Sequence, residues 1–185
     1  MRTRVEGIIV RGGLMPTPAA DEKLTTVMIY SHNMLVRGDV LTKQSMRLSI
    51  WLRTQGVPNY VHLFKPQVLV FGGPAPRSLT YEEMFFPTPQ VVGFHIAPPA
   101  ADPVDYDAGE AGRRLVDVSL MIGSFMLKAK ARISSQTDFA TSIDVARAAW
   151  MSIYEAEISN PALPQMGVMR VPMLLVRPEQ VSFAL

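Results

Sequence analysis

The stretch from residue 24 to about 97 is rewritten, with drift, from about 113 to 185. At a constant offset of 93, Met28, Ile29, Ser31, Ser49 and Ile50 meet Met121, Ile122, Ser124, Ser142 and Ile143. Met34/Leu127, Arg37/Lys130, Val40/Ile133 and Leu52/Val145 are similar pairs between them. Residues 63–68 meet 153–158 at offset 90, and Met84, Pro89, Val92 and Phe94 meet Met173, Pro178, Val181 and Phe183 at 89. Offsets that fall through short deletions while the apolar template persists are what two copies of one fold leave behind, because loops absorb length change and cores do not. The expected organisation is an N-terminal arm (1–23), a first repeat (24–97), a Pro/Ala/Asp-rich linker (98–112) and a second repeat (113–185).

A unit of this length is marginal alone, burying roughly 60% of its unfolded surface. With 48% hydrophobic residues over 185 positions, the two copies are expected to share an interface, most simply as a pseudo-twofold pair. Each unit reads as strand, tight turn, strand, helix, strand, long loop and strand. The fold class is therefore strand-rich α+β, two tandem β-β-α-β-β units.

The second strand of each unit alternates, with Leu127, Ala129, Ala131 and Ile133 on one face and Lys128, Lys130 and Arg132 on the other. Ser45 and Asp138 stand as N-caps before amphipathic stretches. In the second stretch Phe139, Ile143, Ala146 and Trp150 form an apolar stripe. Tyr154, Ala156 and Ile158 read as the inward face of the third strand.

The repeat speaks to architecture and not to activity. Zero cysteine removes disulfides, thiolate catalysis and Cys-based zinc sites. No apolar run reaches membrane-spanning length, and the apolar stretch after Met1-Arg-Thr-Arg is too short for a secretory signal. A soluble, cytoplasmic protein is expected. A formal charge of +2 is too slight to argue nucleic acid by itself.

His32, His62 and His95 all lie in the first repeat, and three imidazoles on converging strands could hold a metal ion. No H-x-H or H-x-x-x-H spacing supports that, so no metal or cofactor is expected. The basic stripe Lys128, Lys130 and Arg132 could meet phosphates, yet Glu155 and Glu157 share its outward parity and are suitable cross-strand partners. Glu82-Glu83 and the acidic residues from 102 to 110 read as solvated loops. Gly72-Gly73 and Gly12-Gly13 lack phosphate-loop context and read as turns. The arm holds Ile8, Ile9 and Val10 in an apolar strand-like run without a repeat partner, which suits covering a sheet edge, either in its own chain or, the favoured reading, in a neighbouring subunit.

A hairpin with a small residue in its second strand, Gly38 or Ala131, followed by Arg47-Leu48-Ser49 in a capped helix and then two more strands, resembles small uncharacterised bacterial proteins that carry this unit singly or in pairs. The likeness covers most of residues 24–185 and implies no catalytic residues. More loosely, it resembles Sm-like and SH3-like β-barrels, although Sm-like units place their helix before the first strand. The expected function is non-catalytic: a structural, adaptor or self-assembly module, forming a homo-oligomer or binding a protein partner. The alternatives are a nucleic-acid or nucleotide binding module using Lys128, Lys130 and Arg132, and a small-molecule enzyme with its site between the repeats.

Overall fold

Two-residue alternation dominates this sequence, and strands are what it forms. The computed structural model describes residues 15–54, 56–145 and 148–185; the arm residues Ile8, Ile9 and Val10 lie outside them. In the first half, β1 (Glu22–Tyr30) and β2 (Met34–Lys43) make a hairpin, followed by a 3-10 helix (Leu48–Arg53), β3 (Tyr60–Val70), β4 (Arg77–Thr80), β5 (Glu83–Pro87), a 3-10 turn (Thr88–Gln90) and β6 (Gly93–Ile96). In the second half come β7 (Arg113–Ile122), β8 (Phe125–Ser134), α1 (Phe139–Val145), β9 (Met151–Ser159), β10 (Met169–Val176), a 3-10 turn (Pro178–Gln180) and β11 (Ser182–Ala184). The protein is α+β and strand-rich. One open antiparallel sheet runs β11-β7-β8-β9-β10-β6-β1-β2-β3-β4, with β5 also pairing β3.

Three strands, β4, β5 and β10, were hidden in the sequence, so neither half keeps the expected β-β-α-β-β order. Pro87 ends β5 and Pro172 interrupts β10, so both segments read as loop. Pro172 lies between the paired residues Val171 and Met173, facing the gap that Glu155 leaves in the β9 ladder, so its missing N–H costs no hydrogen bond there. Glu155 is a bulge residue with φ 50°, and in β3 Lys65 likewise has a positive φ, 45°. The pairing of β2 with β3 breaks at Gly38, and that of β8 with β9 breaks at Ala129 rather than Ala131. The bulge also resets parity. Ile153, Ala156 and Ile158 enter the core while Tyr154 turns to the opposite face.

The helical segments follow their local chemistry unequally. Asp138 caps α1 as expected, its Oδ1 accepting the Thr141 N–H at 2.7 Å. Ser45 does not cap the 3-10 helix. Asp102 of the connector does so instead, accepting the Ser49 N–H at 2.9 Å. The expected stripe through Trp150 also divides, because Phe139 packs into the core of the second half and Trp150 into that of the first, while Ala146 lies outside the described residues.

The two halves exchange core residues. Trp150 and Leu175 join the cluster built by Val27, Ile29, Val36, Leu48, Leu63 and Phe94. Met28, Tyr30, Leu35 and Val92 join the cluster of the second half. Backbone continuity comes from β6 and β10, which pair Phe94 with Leu175 and Gly93 with Val176, extended by the Arg177 N–H to Val92 O at 2.9 Å. These strands hold different places in their halves, β6 the last and β10 the penultimate. The join is therefore head to tail, which corrects the pseudo-twofold expectation, since a twofold would pair like with like.

Close approach fixes two glycines at this join. A Cβ on Gly93 would sit 2.8 Å from Ile122 Cδ1, and one on Gly123 (φ 56°) would collide with the backbone oxygen of His32. The second obstacle is backbone, which cannot rotate away. Gly123→Ala is expected to force the two hairpin tips apart, and a fall in the thermal midpoint checks this.

Candidate functional site

The connector between the halves carries the densest polar cluster among the described residues. Asp105 Oδ2 accepts hydrogen bonds from Arg53 Nη1 and Ser152 Oγ, both at 2.6 Å, and Oδ1 accepts one from Tyr154 Oη at 2.6 Å. Arg53 Nη1 also donates to Ser152 Oγ at 2.9 Å. The groups come from the 3-10 helix of the first half, the connector and β9. Each is placed by the fold: Ser152 and Tyr154 occupy the outer face of β9 on the N-terminal side of the bulge.

Electrostatics follow from that geometry. Burial pushes the Asp105 carboxyl up, but hydrogen bonds from Ser152 and Tyr154 and the Arg53 charge outweigh it, and the net shift is downward. Burial and the adjacent carboxylate raise the Tyr154 phenol well above its usual range. Near neutral pH the carboxylate is ionised and the phenol protonated. Neither partner is poised to exchange a proton, in contrast with a general acid–base pair whose values straddle the working pH.

Around the cluster lies an open cleft of about 490 Å³, with Tyr106, Arg132, Trp150 and the helix-side hydroxyls of Thr137 and Ser142 on its walls. Its cations are engaged. Arg132 pairs with Glu110 at 2.6 Å and lies over the Tyr106 ring, 4.9 Å from the centroid. Asp105→Ala is expected to cost about 2 kcal/mol, the stranded hydroxyls recovering part of their hydrogen bonding from water in the cleft. Equilibrium urea unfolding measures it.

The sequence-derived candidates are dispersed. Lys130 pairs with Glu155 at 2.5 Å, as the shared parity implied. Glu157, however, pairs with Arg170 at 2.9 Å rather than with the stripe. Lys128 lies across from Glu157 in the ladder without an ion pair among the described residues. The histidines do not converge. His32 sits between β1 and β2, His62 stacks on Phe85 and pairs with Glu83 at 2.9 Å, and His95 is buried. No group of three or more potential ligands is placed for a metal among the described residues.

Arg53, Asp105, Ser152 and Tyr154 were missed because the acidic run around Asp105 reads as solvated loop. The available signal was the replacement of His62 and Phe64 by Ser152 and Tyr154 at offset 90, which puts a hydroxyl at both positions of one face. No helix among the described residues is long and apolar enough to cross a membrane. No family model, curated protein or solved structure matches the chain.

Proposed function

We propose that the chain is two tandem copies of one module joined head to tail, and that it works as a non-catalytic structural or self-assembly component. The strand order supports the duplication: β6-β1-β2-β3-β5 in the first half and β11-β7-β8-β9-β10 in the second. So do the paired bulges at Gly38/Lys65 and Ala129/Glu155, and the 3-10 turns before β6 and β11. Aligning on the bulges moves the hairpin by two residues, so that Met28 matches Ser119 and Tyr30 matches Met121. On this reading the chain is a relative of the small bacterial repeat proteins it resembles.

One observation carries the non-catalytic part. The polar cluster at Asp105 spends its hydrogen bonds on tying three chain segments together, in protonation states that oppose proton transfer. Native mass spectrometry of the untagged chain tests the proposal. The expected spectrum is a protein oligomer without a retained small molecule; a stoichiometric small ligand would favour an enzyme working in the cleft.

The basic strand argues the same way. Lys130 and Arg132 are neutralised by Glu155 and Glu110, so binding to single- or double-stranded nucleic acid at physiological salt is expected to be weaker than about 1 μM, within the non-specific range. Fluorescence anisotropy against a salt series checks it. Tighter binding with a steep salt slope would install the nucleic-acid reading instead.

A further inference from the structure

Of the ten exposed large apolar side chains among the described residues, Val104 and Val145 lie apart and eight gather at the two ends of the sheet: Tyr60, Leu79, Tyr81 and Phe85 lie on β3, β4, β5 and the turn between β4 and β5, at one end. Met121, Met126, Val168 and Leu185 lie at the other, on or beside β7, β8, β10 and β11. The internal join accounts for two residues in each group. Trp150 and Leu175 are buried in it, and their matches in the first half are Tyr60 and Phe85, exposed at 53% and 60%. Tyr30 and Leu35 are buried from the other side, and their matches are Met121 and Met126, exposed at 53% and 48%. Each half thus repeats, on its free end, the surface that the other half uses at the join.

We infer that this protein associates head to tail with a second copy of itself, the β11 end of one chain docking on the β5 end of the next. The inference rests on the two-copy reading and deepens the self-assembly proposal by naming its surfaces. The β11 end offers a mainly apolar groove of about 400 Å³ walled by Met121, Met126, Val168 and Phe183, with Lys128 and Glu157 also lining it. The β5 end offers Tyr60, Phe85 and the imidazole of His62 stacked on Phe85, 4.3 Å between centroids. By the pattern of the join, Phe183 of one chain would pair with Phe85 of the next and Ser182 with Phe86. Two differences weaken this contact relative to its covalent template. Pro87 stands where Arg177 donates its N–H, and Ser182 where Gly93 allows close approach. The lost ladder bond weakens the association, and a proline on the edge restrains runaway extension. Because the two surfaces differ, the contact is heterologous and closes a ring or propagates.

Sedimentation velocity over a concentration series, on the full chain and on Phe85→Asp and Met121→Glu, tests this. Both substitutions fall on exposed positions, and Tyr60→Asp and Met126→Glu serve in their place should either fail to fold by circular dichroism. Wild type is expected to grow in mass with concentration, and each variant to lose self-association at least tenfold. An equimolar mixture of the two variants is expected to form a 1:1 dimer and nothing larger, since each retains one intact and complementary end. An oligomer unchanged by both substitutions, or variants that do not complement, would overturn these surfaces while leaving the self-assembly reading in place. A wild type that stays monomeric throughout would overturn both.

Discussion

Trp150→Ala is expected to lower the unfolding free energy by about 3–5 kcal/mol, while Tyr60→Ala, at the position the proposed duplication matches to it, changes it by less than about 0.5 kcal/mol in dilute protein. The asymmetry comes from the join. Trp150 belongs to β9's side of the chain but fills the first half's core beside Leu48, Leu52 and Phe94. The Arg177 guanidinium covers its ring, 4.4 Å from the centroid. Truncation opens a cavity walled by two parts of the chain, and the Arg177 side chain loses its stacking partner. Tyr60 occupies the same step of its own strand with most of its ring in water, so truncating it opens nothing. Guanidinium unfolding followed by far-UV circular dichroism measures both. A loss below about 1 kcal/mol for Trp150→Ala would place the ring outside the core and dissolve the join described above.

Stability is also expected to fall by about 3 kcal/mol as pH drops from 6.5 to 4, through one residue, His95. Its Nδ1–H donates to Ile96 O at 2.8 Å, which leaves Nε2 to accept from the Tyr30 hydroxyl at 3.0 Å. Burial lowers its pKa to about 4, only partly opposed by the Ile96 hydrogen bond. Burial likewise holds the Tyr30 phenol above its usual range, so both partners stay neutral. The unfolded chain takes up the His95 proton near pH 6.5 while the folded chain refuses it until about 4. Between those values the unfolded state binds more protons, and stability rises with pH. Asp105 does not contribute there, since its lowered pKa puts its own loss of stability below 3.8. His95→Gln keeps an acceptor for Tyr30 and removes the titration, so its stability should be flat across the window. An unchanged slope in that variant would assign the effect to another group.

What the sequence disclosed was the part written in periodicity. The alternation of β2 and β8, the hairpins and the Asp138 cap follow from neighbouring residues, and the structure places them as read. What it hid depends on contacts between distant segments. Met28 aligns with Met121 by identity, yet the ladder breaks at Gly38 and Ala129, so on the proposed two-copy reading the correspondence lies two residues away. Identity tracks residues, whereas a bulge tracks backbone, and the two diverge when both faces of a strand are buried. Met28 and Tyr30 are covered on the side where Ser119 and Met121 meet water. Pro172 disguised β10 because a proline is compatible with a strand only opposite an irregularity that is itself non-local. Asp105 was invisible for a related reason, its partners lying on Arg53 and on Ser152 and Tyr154, far from it in sequence.

Cross-strand NOEs in a backbone-assigned NMR spectrum test the head-to-tail join most directly, because they report which strands touch. Contacts from Gly93 and Phe94 to Val176 and Leu175, with a slowly exchanging Arg177 amide, are the result this account predicts. Contacts joining β6 to β11 or β5 to β10 within one chain would instead pair equivalent strands, and would contradict it.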